Sequence, residues 1–550
     1  MSVSPTSGIH AGPARDWHLG IDVGGTFCDG IALGPGGANH LVKLPHHGQD
    51  PAAAMLAAYD SLLQAAGISS EQVASLVHGS TVATNLLLER RATPPALLVS
   101  RGFADTMTLG RQRREHLYAR QVGPQTPLDL LPRAMRFEIS GRLDADGNEV
   151  EAIDPAQIAS IGRRLAAEGI TTAAVGLLFS CRDPSQEAAV GRLLREAHPE
   201  LQVSLSAHVD PQPGEYERWL MAVLDAYLKP GVQQYLERLR QGLVSRRAPA
   251  PKVLASDGSF LTLEAAAERP LALAMSGPGA AVRGVLRMLD PQLGQQPLIT
   301  LDIGGTTSDL CFLRDGEPAT TDTLMLDDLM LRLPSAAITS IAVGGGSRVR
   351  ACADGGLTVG PDSAGADPGP ACFGRGGRDA TLTDCLAVLG QMPRHLAGEL
   401  AVDHAAAHAV VAEQLATPLG LSPEAAAAEA LRVARHRLAE AVRDVAVDAG
   451  FDPRHAILVP AGGGGGLHAL EVARLVGMRQ VAVPARPGIA TACGLLDAAA
   501  GPLALDTDLA PPQGTGQGPA LLTARDTTLV VPPDWSWRRH TSGTLHLEPA

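Results

Sequence analysis

The sequence predicts an α/β protein in which two related domains face each other across a cleft, and three observations lead to this prediction. Strand-like and helix-like segments alternate along the 550 residues, with Gly-rich joints between them. The segment LGIDVGGTFCDGIAL at 19–33 matches ITLDIGGTTSDLCFL at 299–313. The chain is also long enough for two domains that each have a substantial core.

Composition and charge exclude several classes of protein. Hydrophobic residues make up 45% of the chain and aromatic residues only 3%, so we expect a core of mainly Ala, Val and Leu. The net charge of −13 and the lack of a long basic run argue against a nucleic-acid partner. No apolar run approaches the ~18 residues of a membrane span, and the seven cysteines contain no CxxC pair. We therefore expect a cytoplasmic protein with no membrane partner.

The first predicted domain spans 17–205 and follows a flexible tail at 1–16. A strand at 18–23 and a strand near 30–33 flank the first Gly-Gly-Thr turn, which makes a hairpin. This hairpin excludes a dinucleotide-binding Gly-rich loop, because that loop opens a helix, and no GxxxxGK[ST] motif is present. The remaining predicted elements are a helix at 51–66, a strand at 74–77, a helix through Asn85 and Arg90, a strand at 96–99, a helix at 155–168 and a strand at 172–179.

The second predicted domain spans 206–500. Ser422 and Pro423 are typical of a helix start, and apolar residues then recur at helical spacing to about Ala449. The other predictions are a helix at 215–243 with a possible break at Pro230, strands at 252–256, 297–301 and 456–459, a loop-rich region at 344–379, and a helix from Leu467 to Leu475. We expect a linker at 501–517 and a short β-rich segment at 518–550.

The repeated turns predict a nucleotide site. Glycines without a Cβ tolerate positive φ and let backbone N–H groups crowd around phosphate oxygens, and the Thr hydroxyl adds a donor. The leading carboxylates, Asp22 and Asp302, suit Mg²⁺ (or Mn²⁺) bound through its waters. The alternative is that each motif is an ordinary β-turn. The predicted catalytic aspartates are Asp22, Asp302 and Asp309, and the predicted ATP-binding residues are Gly24, Gly25, Thr26, Asp29, Gly304, Gly305, Thr306, Thr307, Gly462, Gly463, Gly464, Gly465 and Gly466.

This arrangement resembles the superfamily of sugar kinases, heat-shock ATPases and actin. The resemblance implies two actin-like (ribonuclease H-like) ATPase domains whose hairpins grip the phosphates of ATP. It also implies that the Gly-rich joint at 462–466 packs on the adenosine.

Four further segments narrow the resemblance: HGSTVATNLLLER at 78–90, RGFADTMTLGRQRREHLYAR at 101–120, GPDSAGADPGPACFGRGG at 360–377 and the region 452–494. They are similar to the hydantoinase A/5-oxoprolinase family. This resemblance implies an ATP-dependent hydrolase subunit that phosphorylates the carbonyl oxygen of a cyclic amide, such as a hydantoin, 5-oxoproline or a lactam. It also implies a hetero-oligomer with a hydantoinase B-type subunit.

Other functions stay open. The same family includes ketone carboxylase subunits of the acetone and acetophenone type. A sugar or acetate kinase is disfavoured by the 360–377 segment. An actin-like scaffold that uses nucleotide only as a switch is an alternative of another class.

The family resemblance also implies substrate-side residues. Arg111, with Arg113 or Arg114, would neutralise a substrate carboxylate or the transferring phosphoryl group, and Thr81 and Asn85 would donate hydrogen bonds to the carbonyl. The alternatives are a solvated charge run around Arg111 and Arg114, and ordinary helix capping at Thr81. His78 and His468 are either acid–base residues or structural histidines, and no cluster of His, Cys and Asp has transition-metal ligand spacing.

The chain departs from the family pattern in four places, three of which are local and bear on substrate choice. Ser256-Asp257-Gly258-Ser259 stands where the family usually has SNGG, residues 463–469 (GGGGLHA) stand where it usually has GGAGPLHA, and the family's usual proline near Glu115 is missing. Family members usually carry a larger C-terminal domain, and 518–550 resembles only its very end. We therefore expect a truncated C-terminal segment, and two alternatives stay open: the missing domain contacts the partner subunit in other members, or a separate polypeptide replaces it here.

Overall fold

The computed structural model describes residues 15–25, 27–45, 50–112, 118, 120, 123–365, 367–396, 400–496, 503, 505, 507–511 and 514–550. The predictions for Thr26, Arg113, Arg114 and most of the N-terminal tail lie outside these residues. Among the described residues, no helix combines the length and the apolar character needed to cross a membrane.

Strands and α-helices alternate through most of the described chain. The strands are β1 (Trp17–Val23), β2 (Phe27–Leu33), β3 (Asn39–Pro45), β4 (Val73–Ser80), β5 (Ala96–Ser100), β6 (Arg136–Ile139), β7 (Arg142–Leu143), β8 (Glu149–Glu151), β9 (Thr172–Gly176), β10 (Gln202–Leu205), β11 (Lys252–Leu254), β12 (Phe260–Leu261), β13 (Leu298–Ile303), β14 (Ser308–Arg314), β15 (Glu317–Pro318), β16 (Thr320–Thr321), β17 (Leu324–Leu326), β18 (Leu329–Leu331), β19 (Ser335–Ala336), β20 (Ile338–Ile341), β21 (Ser347–Ala351), β22 (Leu357–Ser363), β23 (His395–Leu396), β24 (Leu400–Ala401), β25 (Ile457–Ala461), β26 (Val481–Val483), β27 (Thr515–Gln517), β28 (Ala520–Thr523), β29 (Thr528–Val531), β30 (Trp535–Arg539) and β31 (Leu545–Pro549). The α-helices are α1 (Pro51–Ala66), α2 (Val82–Glu89), α3 (Thr106–Leu109), α4 (Pro155–Ala167), α5 (Ser185–Ala197), α6 (Ser206–Val209), α7 (Glu215–Ser245), α8 (Leu263–Glu268), α9 (Ser276–Met288), α10 (Leu382–Val388), α11 (His404–Val411), α12 (Thr417–Leu419), α13 (Pro423–Asp448), α14 (Gly462–Val476) and α15 (Ala490–Leu495).

The first sheet has the strand order β12-β11-β4-β1-β2-β3. Strands β1 and β2 form an antiparallel hairpin, while β4 runs parallel to β1 and β11 runs parallel to β4. Helix α1 begins where predicted, because the Asp50 side chain accepts from the Ala53 N–H and Pro51 occupies the first turn. Helix α7 covers the same core with Trp219 and runs through Pro230 without a break.

A second, all-parallel sheet lies between β4 and β11 in the chain, with the strand order β10-β9-β5-β6. Its two central strands, β5 and β9, are fully buried, as expected for parallel strands covered on both faces. Helices α4 and α5 pack beside it. After this insertion, β11 and β12 return to the first sheet. The division into domains at residue 205 stays a prediction.

The third sheet repeats the plan of the first. Its order is β15-β14-β13-β25-β26-β31-β30-β27, with β20 also paired to β14. Strands β13 and β14 form the antiparallel hairpin, and β25 and then β26 continue in parallel. Ser422 caps α13 through the Ala425 N–H, as its sequence predicts.

One prediction for this half of the chain is confirmed and one needs correction. The described part of 344–379 is mostly loop, as predicted, with the hairpin of β21 and β22 within it. The glycines at 462–466 do not precede a helix, because α14 already begins at Gly462. Glycine lowers helix propensity, and tertiary packing overrides that preference at this position.

Helices α9 and α15 lie between the first and third sheets and join them. Their backbones approach closely: a Cβ at Gly284 would collide with the Ala490 carbonyl, and a Cβ at Gly494 would collide with that of Ala280. The core around these helices includes Ile31 from the first sheet and Leu298 from the third. This packing brings the two hairpins to one region of the molecule.

The C-terminal segment is β-rich, as predicted, and is part of the third sheet. Strand β31 pairs antiparallel with β26, and β30 pairs with β31 and β27. Trp535 and Leu547 are buried in the same core as the helices of the second half. The segment therefore extends an existing sheet.

Candidate functional site

The two Asp-x-Gly-Gly-Thr motifs form hairpins with identical register, which we call the first jaw (residues 22–29) and the second jaw (302–309). Asp22 lies opposite Asp29 across the first hairpin, and Asp302 lies opposite Asp309 across the second. Each turn is closed by the same kind of hydrogen bond, from Gly24 N–H to the Phe27 carbonyl and from Gly304 N–H to the Thr307 carbonyl, at 3.1 and 3.0 Å. The repeat in the sequence is therefore a repeat in structure.

The tips of both jaws are open. A Cβ at Gly25 or Gly305 would meet no atom within 4 Å. None of Gly24, Gly25, Gly304 and Gly305 has positive φ, so these positions do not need glycine for a left-handed turn. At Gly25 and Gly305 the missing Cβ leaves the tip of each turn uncovered.

A cation that the sequence did not predict lies against the first jaw. Nζ of Lys43, on β3, lies 2.7 and 2.9 Å from the two carboxylate oxygens of Asp29. The same Nζ donates to the Gly488 carbonyl at 3.0 Å and lies 5.0 Å from the centre of the Phe27 ring. Lys43 is the register partner of Asp29 across β2 and β3, so the signal lay in the strand pairing.

The second jaw is supported by neutral groups. The Ser340 hydroxyl, from β20, donates to the Asp309 carboxylate. The N–H groups of Gly345 and Gly346 donate to the carbonyls of Gly304 and Gly305 at 3.0 and 2.6 Å. Sequence reasoning treated this Gly-rich stretch as a loop, and only the fold brings it under the second jaw. The Thr306 hydroxyl is exposed and lies 3.5 Å from that of Ser363.

Burial perturbs the carboxylates of both jaws. Desolvation, with Asp29 as the next cause, raises the pKa of Asp22 from 3.8 to about 7. Desolvation, with Asp309 as the next cause, raises the pKa of Asp302 from 3.8 to about 7. The pKa values of Asp29 and Asp309 are also raised by burial. Such clustering of perturbed carboxylates is typical of functional sites.

The jaws are close enough to act on each other electrostatically. The charge of Asp302, in the second jaw, contributes to the raised pKa of Asp22 in the first. The charge of Lys43, beside the first jaw, opposes the rise in the pKa of Asp302. One carboxylate oxygen of Asp22, Oδ1, is buried without a hydrogen-bond partner among the described residues. A buried unpaired carboxylate oxygen is costly, and a cation or its waters would relieve that cost.

Next to each leading aspartate, the neighbouring chain segment has a position that has room only for glycine. A Cβ at Gly79 would lie 2.7 Å from Oδ1 of Asp22. A Cβ at Gly462 would collide with Oδ1 of Asp302, and Gly462 also has a φ of +72°, where glycine is favoured. The oxygen donors and the cleared space beside them suit a small hard cation such as Mg²⁺.

The remaining glycines of the joint have two different environments. Gly463 is open, with no atom within 4 Å of an added Cβ, and Gly464 packs on Ile303 of the second jaw. Gly465 and Gly466 are buried, and a Cβ at Gly466 would collide with the Thr528 carbonyl. The N-terminal turn of α14 thus presents its first residues to the jaw and packs the later ones on the C-terminal strands.

Thr81 and Asn85 lie beside the first jaw. The Thr81 N–H points to the Val23 carbonyl at 3.3 Å, and the Asn85 amide donates to the Thr81 hydroxyl at 3.2 Å. Thr81 occupies the N-cap position of α2, but its side chain caps no helix N–H. These two side chains remain candidates for contact with a substrate at this edge.

Arg111 is exposed and paired. Its Nε lies 2.5 Å from a carboxylate oxygen of Glu217, a buried residue on α7. Arg332 lies near the same helix end, where its Nε donates to Asp210 at 2.6 Å. The arginine predicted to face a substrate thus already has a carboxylate partner, which a ligand would have to share or displace.

The two histidines are buried, and burial lowers both pKa values, of His78 to about 4 and of His468 to about 3. Nδ1 of His78 donates to the Ile21 carbonyl at 3.0 Å, so Nε2 is the acceptor and the Tyr235 hydroxyl donates to it. This arrangement favours the structural interpretation of His78, since the fixed neutral tautomer supports the strand that carries Asp22.

Family models match nearly the whole of both halves. A model described as the hydantoinase/oxoprolinase N-terminal region matches residues 18–198, and one described as hydantoinase/oxoprolinase matches 218–500. Curated relatives include an uncharacterised protein of Methanocaldococcus jannaschii, 30% identical over 497 residues (87% of this chain, 72% of the relative). The caprolactamase subunit alpha of Pseudomonas jessenii is 31% identical over 481 residues (86% and 68%), and the acetophenone carboxylase gamma subunit of Aromatoleum aromaticum is 29% identical over 471 residues (82% and 64%).

Two solved structures share the fold. A nucleotide-free acetone carboxylase chain superposes with a TM-score of 0.83 at 21% identity, covering 98% of this chain and 100% of that one. The ATP-dependent caprolactamase of Pseudomonas jessenii gives 0.82 at 24% identity, covering 97% and 100%. Together with the family models and the relatives at 30 and 31% identity, these matches show that the chain belongs to the hydantoinase/oxoprolinase family.

Proposed function

We propose that ATP binds between the two jaws, with its phosphates at the open turns and its adenosine beside the N-terminal turn of α14. The observation that carries this proposal is the pair of hairpins with matched register and matched buried aspartates. The first and third sheets, each a hairpin followed by parallel strands, are then the two actin-like halves around the nucleotide.

Asp22 and Asp302 would hold Mg²⁺ (or Mn²⁺) through its waters. The bound metal would supply positive charge against the β- and γ-phosphate oxygens. Lys43 pairs with Asp29, opposes the rise that burial causes in the pKa of that carboxyl, and adds positive charge on the side of the first jaw. The backbone N–H groups of the turns orient the phosphates, so that catalysis is mainly positioning and charge stabilisation.

The acceptor that we favour is the carbonyl oxygen of a cyclic amide. That oxygen attacks the γ-phosphorus, and the bond from phosphorus to the ADP oxygen breaks. Water then adds to the activated carbon, and the C–N bond breaks with protonation of nitrogen to give an acyl phosphate. A second water attacks the carbonyl carbon of this acyl phosphate, the C–O bond to phosphate breaks, and the released phosphate keeps the former amide oxygen. The relatives named caprolactamase and 5-oxoprolinase support this choice. We propose that a hydantoinase B-type subunit completes the hydrolysis, since several relatives are named as subunits.

A ketone carboxylase subunit is the second candidate. It is favoured by relatives named as the acetophenone carboxylase gamma subunit and the acetone carboxylase beta subunit, and by the fold shared with an acetone carboxylase. In that case the enolate oxygen of a ketone would accept the phosphoryl group. Bicarbonate-dependent loss of a ketone would select the carboxylase, and ring opening without bicarbonate would select the hydrolase.

The test is isotope transfer in the complex with its partner subunit. A cyclic amide labelled with ¹⁸O at the carbonyl is incubated with ATP, and the phosphate released is analysed for ¹⁸O. Phosphorylation of the carbonyl oxygen predicts one labelled oxygen in the phosphate. Ring opening with unlabelled phosphate would contradict the proposal, and so would nucleotide-dependent filaments without any small-molecule turnover.

A further inference from the structure

Three potential metal ligands from distant parts of the chain meet at the edge of the third sheet. Asp290 lies in the loop between α9 and β13, and His540 and His546 flank the turn between β30 and β31. The potential ligand atoms of all three residues lie within 4.8 Å of one another. The sequence shows no such cluster, because 250 residues separate Asp290 from His540.

The distances match those between ligands of one metal ion. Oδ2 of Asp290 lies 3.5 Å from Nδ1 of His540 and 3.3 Å from Nε2 of His546. With metal–ligand bonds of ~2.0–2.1 Å, two ligands of a tetrahedral ion are about 3.3–3.4 Å apart. The same distances are longer than the ~2.7–2.9 Å of a charged hydrogen bond, so direct pairing satisfies these groups poorly.

Burial and hydrogen bonds hold Asp290 in place, and they leave one carboxylate oxygen, Oδ2, facing the cluster. Its side chain is almost fully buried, its N–H donates to the Thr544 hydroxyl at 2.8 Å, and Oδ1 accepts from the Gln292 N–H at 3.0 Å. Oδ2 faces the two imidazoles. A buried carboxylate oxygen held toward two imidazoles needs a positive charge beside it.

The histidines offer nitrogen atoms to the same point. Nε2 of His546 is buried and makes no hydrogen bond of good geometry among the described residues. Nδ1 of His540 lies 2.9 Å from the Ser542 hydroxyl and 3.2 Å from the Ser542 N–H. Binding at His540 would exchange this contact within the turn for a metal bond, which makes His546 and Asp290 the stronger ligands.

We propose that Asp290, His540 and His546 bind one divalent ion of the zinc class. Two imidazoles and a carboxylate are a donor set that Zn²⁺ prefers, and they leave a fourth position for water. His546 also lines a cavity of about 530 Å³ together with Trp537, Arg538 and Glu548. The ion would pin the β30–β31 hairpin to the loop that leads into the second jaw.

The experiment titrates the metal-free full-length protein with Co²⁺, which reports tetrahedral nitrogen–oxygen sites by visible absorption, and then displaces it with Zn²⁺. We expect one equivalent per chain and, in His546→Gln, a loss of affinity of about 100-fold or more, since outer contacts alone cost 10–100-fold. His455→Gln is the matched control, because His455 is largely exposed and lies 3.7 Å from a single carboxylate, that of Asp452.

A second readout follows the hairpin itself. We expect Zn²⁺ to slow amide hydrogen exchange in β30 and β31 in the wild type and not in Asp290→Asn. Either of two results would overturn the proposal: no stoichiometric Co²⁺ binding by wild type, or equal binding by wild type and His546→Gln. Circular dichroism of both variants shows that a loss reflects the ligand and not the fold.

Discussion

The substitution Asp302→Asn separates the stability of the nucleotide-free protein from its ability to use ATP. Burial raises the pKa of Asp302 from 3.8 to about 7 in the folded protein. A raised carboxyl pKa contributes stability below pH 4 that is lost as the pH rises to about 7, because the unfolded chain releases the proton first. Asparagine has the shape of the protonated carboxyl and has no charge. A difference of about 3 between the pKa of Asp302 in the folded and unfolded protein corresponds to a free energy of unfolding on the order of 4 kcal/mol.

The assay is thermal and urea unfolding of the nucleotide-free wild type and variant between pH 4 and pH 8. We expect equal stability near pH 4 and a more stable Asp302→Asn protein at pH 8, by at most about 4 kcal/mol. Asp444→Asn, on the exposed face of α13, is the matched control that removes a carboxylate outside the jaws. With MgATP the advantage of Asp302→Asn should shrink, because the wild type binds the nucleotide more tightly and is stabilised more by it. A variant that is less stable than wild type at pH 8 without nucleotide would refute this account of the burial.

Three further predictions concern the jaws and their support. Lys43→Met removes the cation paired with Asp29, so the pKa values of the jaw carboxylates should rise, and the pH profile of MgATP binding should move to higher pH. Gly462→Ala should greatly weaken MgATP binding because the Cβ would collide with the second-jaw carboxylate, whereas Gly463→Ala should leave binding within about twofold, since nothing lies near the added atom. Tyr235→Phe should cost about 1–3 kcal/mol in urea unfolding, because it leaves a buried imidazole nitrogen without its donor, while the nucleotide affinity stays near that of wild type.

The features that the sequence predicts well are local or repeated. Helix α13 begins at its predicted Ser422 cap, because a cap is decided within four residues. Helix α1 spans 51–66, as its helical pattern predicts. The hairpins are recognisable because the residues and the flanking strands recur together. The family resemblance predicted a substrate-side role for Arg111. The structure adds its ion pair with Glu217, which no sequence motif indicates.

The features that sequence reasoning missed depend on contacts between distant residues. Lys43 reaches Asp29 only through the pairing of β2 with β3. The glycines at 344–346 reach the second jaw only after the chain has formed β20 and returned. Strands β11 and β12 rejoin the first sheet after an inserted sheet. Such arrangements follow from topology, which periodicity within a short window does not encode.

The central claim is that one nucleotide site is shared by both jaws, and equilibrium binding of MgADP tests it most directly. Titration calorimetry would compare the wild type with Asp22→Asn and with Asp302→Asn at pH 8. We predict one nucleotide per chain and a loss of affinity of at least about tenfold in each variant, because each jaw supplies one of the two metal-holding carboxylates. Unchanged affinity in either variant would contradict a site built from both jaws.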